Sequence, residues 1–395
     1  MSKLYFKFGA MASSKTANAL MTRFNYEEKG NHVWLIKPDL DNRDDYVDEH
    51  GMRVTVVKSR IGLSAVADVV GRDEDILRRF ASVRDSAPVD VIICDEVSMV
   101  DLLLMQSLLK AIKPGGRLIL IGDNDQLPSV GPGKVLGDMI DSHTIPTVKL
   151  TYIHRQQNGS RIVMNAHRII NGVWPEVNNS KGSDFFYKQV EVADECIDEV
   201  LTLVSGRLAT AYPGMTVQVL CPRRSDTQTC CNKMNEIIQQ AVNPRGPFVL
   251  HYGTIYRKGD RVMQTKNNYA KEVFNGSLGK IVSVIGDMVY VKFDDDDREL
   301  LYTNEDLSEL DLAYATTIHK SQGSEYDIVV IPVMESASIM LQRNLLYTAV
   351  TRAKQLVVLV GLRETVSAML QNDKEVERYT GLALRIRNLY DFIHG

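Results

Sequence analysis

Over 395 residues the chain is 44% hydrophobic and 24% charged, an ordinary globular composition with core enough for two or three domains. A formal charge of −4 excludes a global basic field, so any surface for nucleic acid must be a local groove. Five cysteines without a CxxC pair, no apolar run near about 18 residues and no long apolar stretch at the start lead us to expect no disulfide framework, spanning helix or secretory leader. A reduced, soluble, cytoplasmic protein is therefore expected.

Taken in order, Leu4 to Phe8 alternates as a short strand and runs into Gly9 to Thr16, GAMASSKT. The spacing is that of the phosphate loop G-x-x-x-x-G-K-[ST], with Ser14 in place of the second glycine. Ala17 to Met21 continues as a helix, which aims backbone N–H groups and the helix dipole at phosphates. Gly9, Ser13, Ser14, Lys15 and Thr16 are the expected ATP-binding residues. Lys15 is placed to reach the β- and γ-phosphates, and Thr16 to complete a Mg²⁺ shell opposite Asp95. If the loop demands positive φ at Ser14, the side chain costs about 1–3 kcal/mol there. If Ser14 is the first helical residue, it costs little. The plainer alternative is a solvated lysine at a helix start.

Two fully apolar runs follow. Val91 to Cys94 ends in Asp95 and Glu96, and Leu118 to Ile121 ends in Gly122-Asp123-Asn124-Asp125-Gln126. Such runs predict strands of a parallel sheet buried on both faces, with their carboxyl ends at the ligand crevice. Asp95 is placed to hold Mg²⁺ through water, Glu96 to orient or deprotonate an attacking hydroxyl, and Gln126 to sense the γ-phosphate. The competing reading is two core strands with ordinary acidic loop residues. Farther along, Trp174-Pro175 and Gly182 to Asp184 read as loop. Phe185 to Tyr187 reads as a core strand, Val192 to Leu208 as a covering helix, and Val219 to Pro222 as a buried strand. Asp294 to Asp297 reads as the solvated turn of a hairpin. Arg352 falls on a helix before the strand Leu356 to Val360.

From Asp95 onward the ordered motifs resemble RecD-like helicases of superfamily 1. Asp95 to Asp101 is similar to their Walker B motif, Gly122 to Gly133 to motif III, and Leu150 to Gln156 to the motif closing the first lobe. Gly259 to Gln264, with Asn267-Asn268 and Val273 to Gly276, is similar to the small β-barrel of the second lobe. Ala315 to Glu325, which contains HKSQG, resembles motif V, and Asn344 to Lys354 motif VI. The resemblance covers about residues 91–395. It implies ATP hydrolysis between two lobes, with Glu96, Arg352, Gln126 and Arg155 catalytic and Gln322 bridging nucleotide and DNA. It also implies Lys266, His319 and Lys320 as DNA contacts and single-stranded DNA as partner, with movement in the 5′→3′ direction.

The first quarter, about residues 1–96, instead resembles thymidine kinases of the cellular and bacterial type. The residues that carry this are Leu4-Tyr5-Phe6, the loop GAMASSKT, Tyr26 to Gly30, Ile36-Lys37-Pro38 with Asp41 and Arg43, and Val57 to Gly62. In that family the second carboxylate, here Glu96, takes the proton of a nucleoside hydroxyl. The paired cysteines of that family's zinc site and its nucleoside clamp have no counterpart in this sequence.

Together these readings predict an α/β protein of two RecA-like P-loop lobes with parallel sheets. The first lobe is expected over residues 1–165, the second over 166–250 and 309–395, and the inserted β-barrel over 251–308. The expected function is an ATP-dependent helicase or translocase on single-stranded DNA, using ATP and Mg²⁺. Its rivals are a thymidine kinase and a nucleotide-binding, DNA-binding protein without efficient unwinding.

Overall fold

The computed structural model describes residues 3–11, 13–38, 46–47, 53–59, 62–70, 89–129, 131–150, 160–180, 182–268, 270–294, 296–334, 341–373 and 380–394. They divide into two units, Met1–Ile170 with Lys374–Gly395, and Asn171–Asp373. Arg155, Asp41 and Arg43 lie outside the described residues. No helix among the described residues is long and apolar enough to cross a membrane.

The first unit is built on a parallel sheet, as the uninterrupted apolar runs require. Its elements are β1 (Lys3–Phe8), α1 (Lys15–Glu27), β2 (Val33–Lys37), β3 (Val69–Val70), β4 (Val91–Cys94), α2 (Leu102–Ala111), β5 (Arg117–Gly122), α3 (Val135–Asp141), β6 (Thr147–Lys149) and α4 (Arg161–Ile170). The strand order is β6-β1-β5-β4-β2-β3. Every neighbouring pair is parallel. Along β4 the side chains alternate between two cores: Val91 and Ile93 join Ala19 and Leu20 of α1, while Ile92 and Cys94 join Met105 and Leu108 of α2. Helix α2 starts because Asp101 caps it, its carboxylate accepting from the Leu104 N–H at 2.9 Å. It buries Met105, Leu108 and Ala111 at helical spacing and stops before Pro114.

The second unit repeats the plan. Its elements are β7 (Phe185–Gln189), α5 (Ala193–Thr202), β8 (Val217–Cys221) and α6 (Cys231–Val242). A group of shorter strands follows: β9 (Phe248–His251), β10 (Thr254–Arg257), β11 (Arg261–Gln264), β12 (Leu278–Ile285), β13 (Met288–Phe293), β14 (Glu299–Tyr302) and β15 (Leu310–Leu312). The chain then returns through β16 (Ala315–Thr317), β17 (Tyr326–Val333), α7 (Arg343–Thr351), β18 (Ala353–Gly361) and α8 (Arg363–Gln371). A parallel sheet runs β7-β18-β17-β8-β16. The covering helix expected over Val192 to Leu208 is α5, which continues through a π-turn at Leu203–Arg207.

The inserted strands form an antiparallel sheet, β14-β13-β12-β11-β15, beside the hairpin β9–β10. Asp294 to Asp297 falls between the paired strands β13 and β14, where the hairpin was expected. Val262, Ile281, Val291, Phe293 and Tyr302 fill the core of the insert. Asp260 joins the insert to α6. It is fully buried and accepts from Gln239 Nε2 at 2.5 Å, Asn243 Nδ2 at 2.6 Å, the Arg257 N–H at 2.6 Å and the Tyr314 hydroxyl at 2.9 Å. Four donors offset the cost of burying one carboxylate.

The last helix, α9 (Leu382–His394), packs on α3 in the first unit. Ile386 joins the core there, the Thr380 hydroxyl donates to Asp138, and Arg387 Nη2 donates to the Asp141 carbonyl at 2.8 Å. The expected boundaries had placed this segment with the second lobe. An apolar contact and two polar ones tie it to the first unit.

Candidate nucleotide site and nucleic-acid groove

In the first unit the register of the sheet brings the site together. Phe8 pairs with Gly122, and Leu120 with Cys94, so the phosphate loop, Asp123 and Asp95 all leave the carboxyl ends of adjacent strands. The Gly9 N–H donates to the Gly122 carbonyl at 3.2 Å. A Cβ on Gly9 would collide with the Ser13 side chain and the Leu150 carbonyl, so the loop closes only on glycine there.

Ser14 adopts φ 60°, ψ 30°, the left-handed region, and precedes α1 without a side-chain capping bond. The loop therefore demands positive φ at this position, the costlier of the two expectations for serine. Lys15 curls onto the loop: its Nζ donates to the carbonyls of Gly9 at 2.6 Å and Ala10 at 2.9 Å and pairs with Asp123 at 3.3 Å. Ser13 is buried and its Oγ has no hydrogen-bond partner. A glycine cradle, an orphaned hydroxyl and a lysine held on loop carbonyls fit a bound phosphate chain, which would offer oxygens to the Ser13 hydroxyl and to Lys15. Thr16 is half-buried in the first turn of α1.

Asp95 is buried and accepts from the Glu96 N–H at 2.9 Å. Glu96 itself sits at φ 50°, a left-handed position occupied by a charged side chain. Among the described residues no group of three or more His, Cys, Asp or Glu forms a metal cluster. One carboxylate and one hydroxyl suit Mg²⁺, which keeps several waters and takes the remaining oxygens from phosphates.

Two residues of this site were not singled out from the sequence. Asp123, fully buried, accepts from Lys15, from Gln126 Nε2 at 3.3 Å and from the Asp125 N–H at 3.1 Å, and so links the phosphate-loop lysine to Gln126. Its signal was present, a carboxylate directly after an apolar strand. His167, on α4, lies with Nε2 3.2 Å from the Met11 carbonyl of the loop. Burial holds this imidazole below its usual range; the Met11 carbonyl and Asp123 pull the other way, and Lys15 adds to the lowering.

In the second unit, Cys221 of β8 pairs with Thr317 of β16, and the Ile318 N–H donates to the Cys221 carbonyl at 3.0 Å. The turn after β16 carries His319, exposed, Lys320, half-buried, and Gln322, buried. Lys320 Nζ lies 2.8 Å from Asp311. Lys266 is exposed in the loop after β11. Arg352 ends α7 and is buried, donating from Nε to the Thr348 carbonyl at 3.2 Å, from Nη1 to the Ser324 carbonyl at 3.3 Å and from Nη2 to Thr351 Oγ1 at 3.3 Å.

Comparison with known proteins bears on both units. A family model described as an AAA domain matches residues 10–184, and one for a UvrD-like helicase C-terminal domain matches 312–360. Residues 234–300 match the SH3 domain of ATP-dependent RecD-like DNA helicases. The chain is similar to RecD-like helicases. It is 36% identical over 303 residues to the ATP-dependent RecD2 DNA helicase of Deinococcus radiodurans, covering 77% of this chain and 40% of that one. With the RecBCD enzyme subunit RecD of Mycolicibacterium smegmatis it shares 31% over 332 residues, 81% of this chain and 58% of that one. The chain thus spans about half the length of these RecD-like relatives. The crystal structure of Pif1 helicase from Bacteroides with ADP-AlF3 and ssDNA superposes with a TM-score of 0.51 at 16% identity, covering 99% of this chain and 94% of that one, which establishes a shared fold. The AAA-domain match crosses Asp95 without a break, and none of the matched models is a kinase, so the resemblance of the first quarter to thymidine kinase gains no support.

Proposed function

We propose that the chain is the motor portion of a RecD-like superfamily 1 DNA helicase, which hydrolyses ATP to move 5′→3′ on single-stranded DNA in the cytoplasm. The observation that carries this reading is the order of parts along one chain. A phosphate loop, a carboxylate pair and the Asp123–Gln126 turn lie in one parallel-sheet unit. An RecD-like SH3 match, the HKSQG turn and Arg352 lie in the other. On this reading the first lobe is residues 1–165 together with the C-terminal helix α9, the second 166–250 and 309–373, and the barrel 251–308.

In this mechanism Gly9, Ser13, Ser14, Lys15 and Thr16 hold the phosphates of ATP. Thr16 and Asp95 would hold Mg²⁺, which supplies charge neutralisation at the transferring phosphoryl. Glu96 orients the attacking water and accepts its proton. Gln126 follows the γ-phosphate through Asp123. Arg352, with Arg155, supplies positive charge where the transition state gathers negative charge. Gln322 couples the nucleotide to the turn that carries His319 and Lys320, and these two residues with Lys266 contact the DNA backbone. The left-handed Ser14 favours a second reading, a nucleotide-dependent DNA-binding protein with slow turnover and little unwinding.

Two variants assayed together test the assignment. Glu96→Gln is expected to bind ATP while losing at least about 10²-fold in turnover. Arg352→Ala is expected to lose about 10³-fold in kcat with ATP affinity nearly unchanged. Hydrolysis at the parent rate by Arg352→Ala would mean that ATP is turned over without the second unit.

A further inference from the structure

A groove of about 1150 Å³ opens in the second unit beside α6, β16 and the hairpin β9–β10. Its lining carries the cations Arg224, Lys233 and Lys320, and each is already engaged by a carboxylate. Lys233 pairs with Glu236 at 2.9 Å. Arg224 and Lys320 share Asp311, at 3.3 and 2.8 Å. The two cations leave the carboxyl ends of neighbouring parallel strands, β8 and β16. Asp311 comes from β15, where Leu310 and Leu312 turn into the barrel core and leave the carboxylate facing the groove. Three separate segments thus aim two positive side chains and one negative one at a single point.

The cluster is not a brace of the core. The side chains of Arg224, Asp311 and Lys320 are 59%, 36% and 30% exposed, and ion pairs open to water hold their partners weakly. A carboxylate and a phosphodiester each present one negative charge on paired oxygens to the same donors. We propose that Arg224 and Lys320 form a subsite for a phosphodiester of single-stranded DNA, occupied by Asp311 in the free protein and released when the strand enters. This rests on the motor reading above. Arg224 then joins Lys320 as a backbone contact, and Asp311 acts as a built-in competitor that lowers affinity for DNA in the resting state. Lys320 lies two residues before Gln322, so exchange of its anion occurs next to the residue assigned to nucleotide coupling.

Equilibrium binding of a fluorescently labelled oligothymidylate to the full chain, repeated across a salt series, tests the exchange. Asp311→Asn keeps the size and one acceptor while removing the competing charge. It is expected to bind about five-fold more tightly at low salt. Its log K against log salt should be steeper by about 0.7, one additional cation being free to neutralise phosphate. Asp311→Glu is expected to bind like the parent. Should Asp311→Asn melt early, the pair Arg224→Gln with Lys320→Gln, in the presence of Asp311, is expected to weaken binding and flatten the slope. Unchanged or weaker binding by a folded Asp311→Asn, or parent-like binding by the double variant, would overturn the subsite. If the parent itself binds no oligothymidylate at low salt, the motor reading fails and the subsite with it. Parent binding with unaltered variants removes the subsite alone.

Discussion

Ser14 holds a backbone conformation that glycine adopts without cost. A non-glycine residue there stores about 1–3 kcal/mol, and glycine's greater freedom in the unfolded chain offsets about 0.5–1 of it. Ser14→Gly is therefore expected to stabilise the first unit by about 1 kcal/mol, raising its unfolding midpoint by about 2–4 °C. An unchanged or lower midpoint in a thermal melt would show that the loop accommodates serine without strain. Glu96 has the same left-handed geometry, so two strained residues sit at the carboxyl ends of this sheet. The spacing of Gly9, Lys15 and Thr16 was legible because a phosphate loop fixes it. Asp123 was harder to read, since a carboxylate among Asp123, Asn124 and Asp125 looks like a solvated turn until the sheet register sets it against Lys15.

At the scale of elements, the strands were the most legible part. A run such as Val91 to Cys94 has no polar side to give to water, so both its faces must be covered. Helix α4 was less legible, because nothing in a lone histidine announces a contact with a loop some 150 positions earlier in the chain. That contact gives a pH signature. Burial lowers the pKa of His167 in the folded state below its ordinary 6.5, so the unfolded chain binds more protons in the window beneath that value. The stability His167 contributes is complete above pH 6.5 and is lost as pH falls through the lowered value. His167→Gln, which does not titrate, is expected to lose less stability than the parent over that acid window. Superimposable acid-unfolding profiles would contradict it. The placement of α9 was not readable either, since apolar spacing in a terminal helix does not say which sheet it covers.

At the scale of the molecule, two parallel sheets and an inserted antiparallel sheet follow from alternating apolar runs and turn residues along one chain. The similarity of the second unit to RecD-like helicases was readable because the stretches that resemble the inserted barrel and motif V keep their order along the chain. The kinase-like appearance of the first quarter gains no support from the matched families, and a phosphate loop with a following carboxylate pair is common to many nucleotide-binding sheets. The most direct test of the motor reading is the rate of ATP hydrolysis by the purified chain at low salt, with and without saturating single-stranded DNA, alongside a parallel assay for phosphorylated thymidine. A motor is expected to hydrolyse ATP faster with DNA, to lose that stimulation as salt rises, and to leave thymidine unmodified. A rate indifferent to DNA, with thymidine converted to its phosphate, would contradict it.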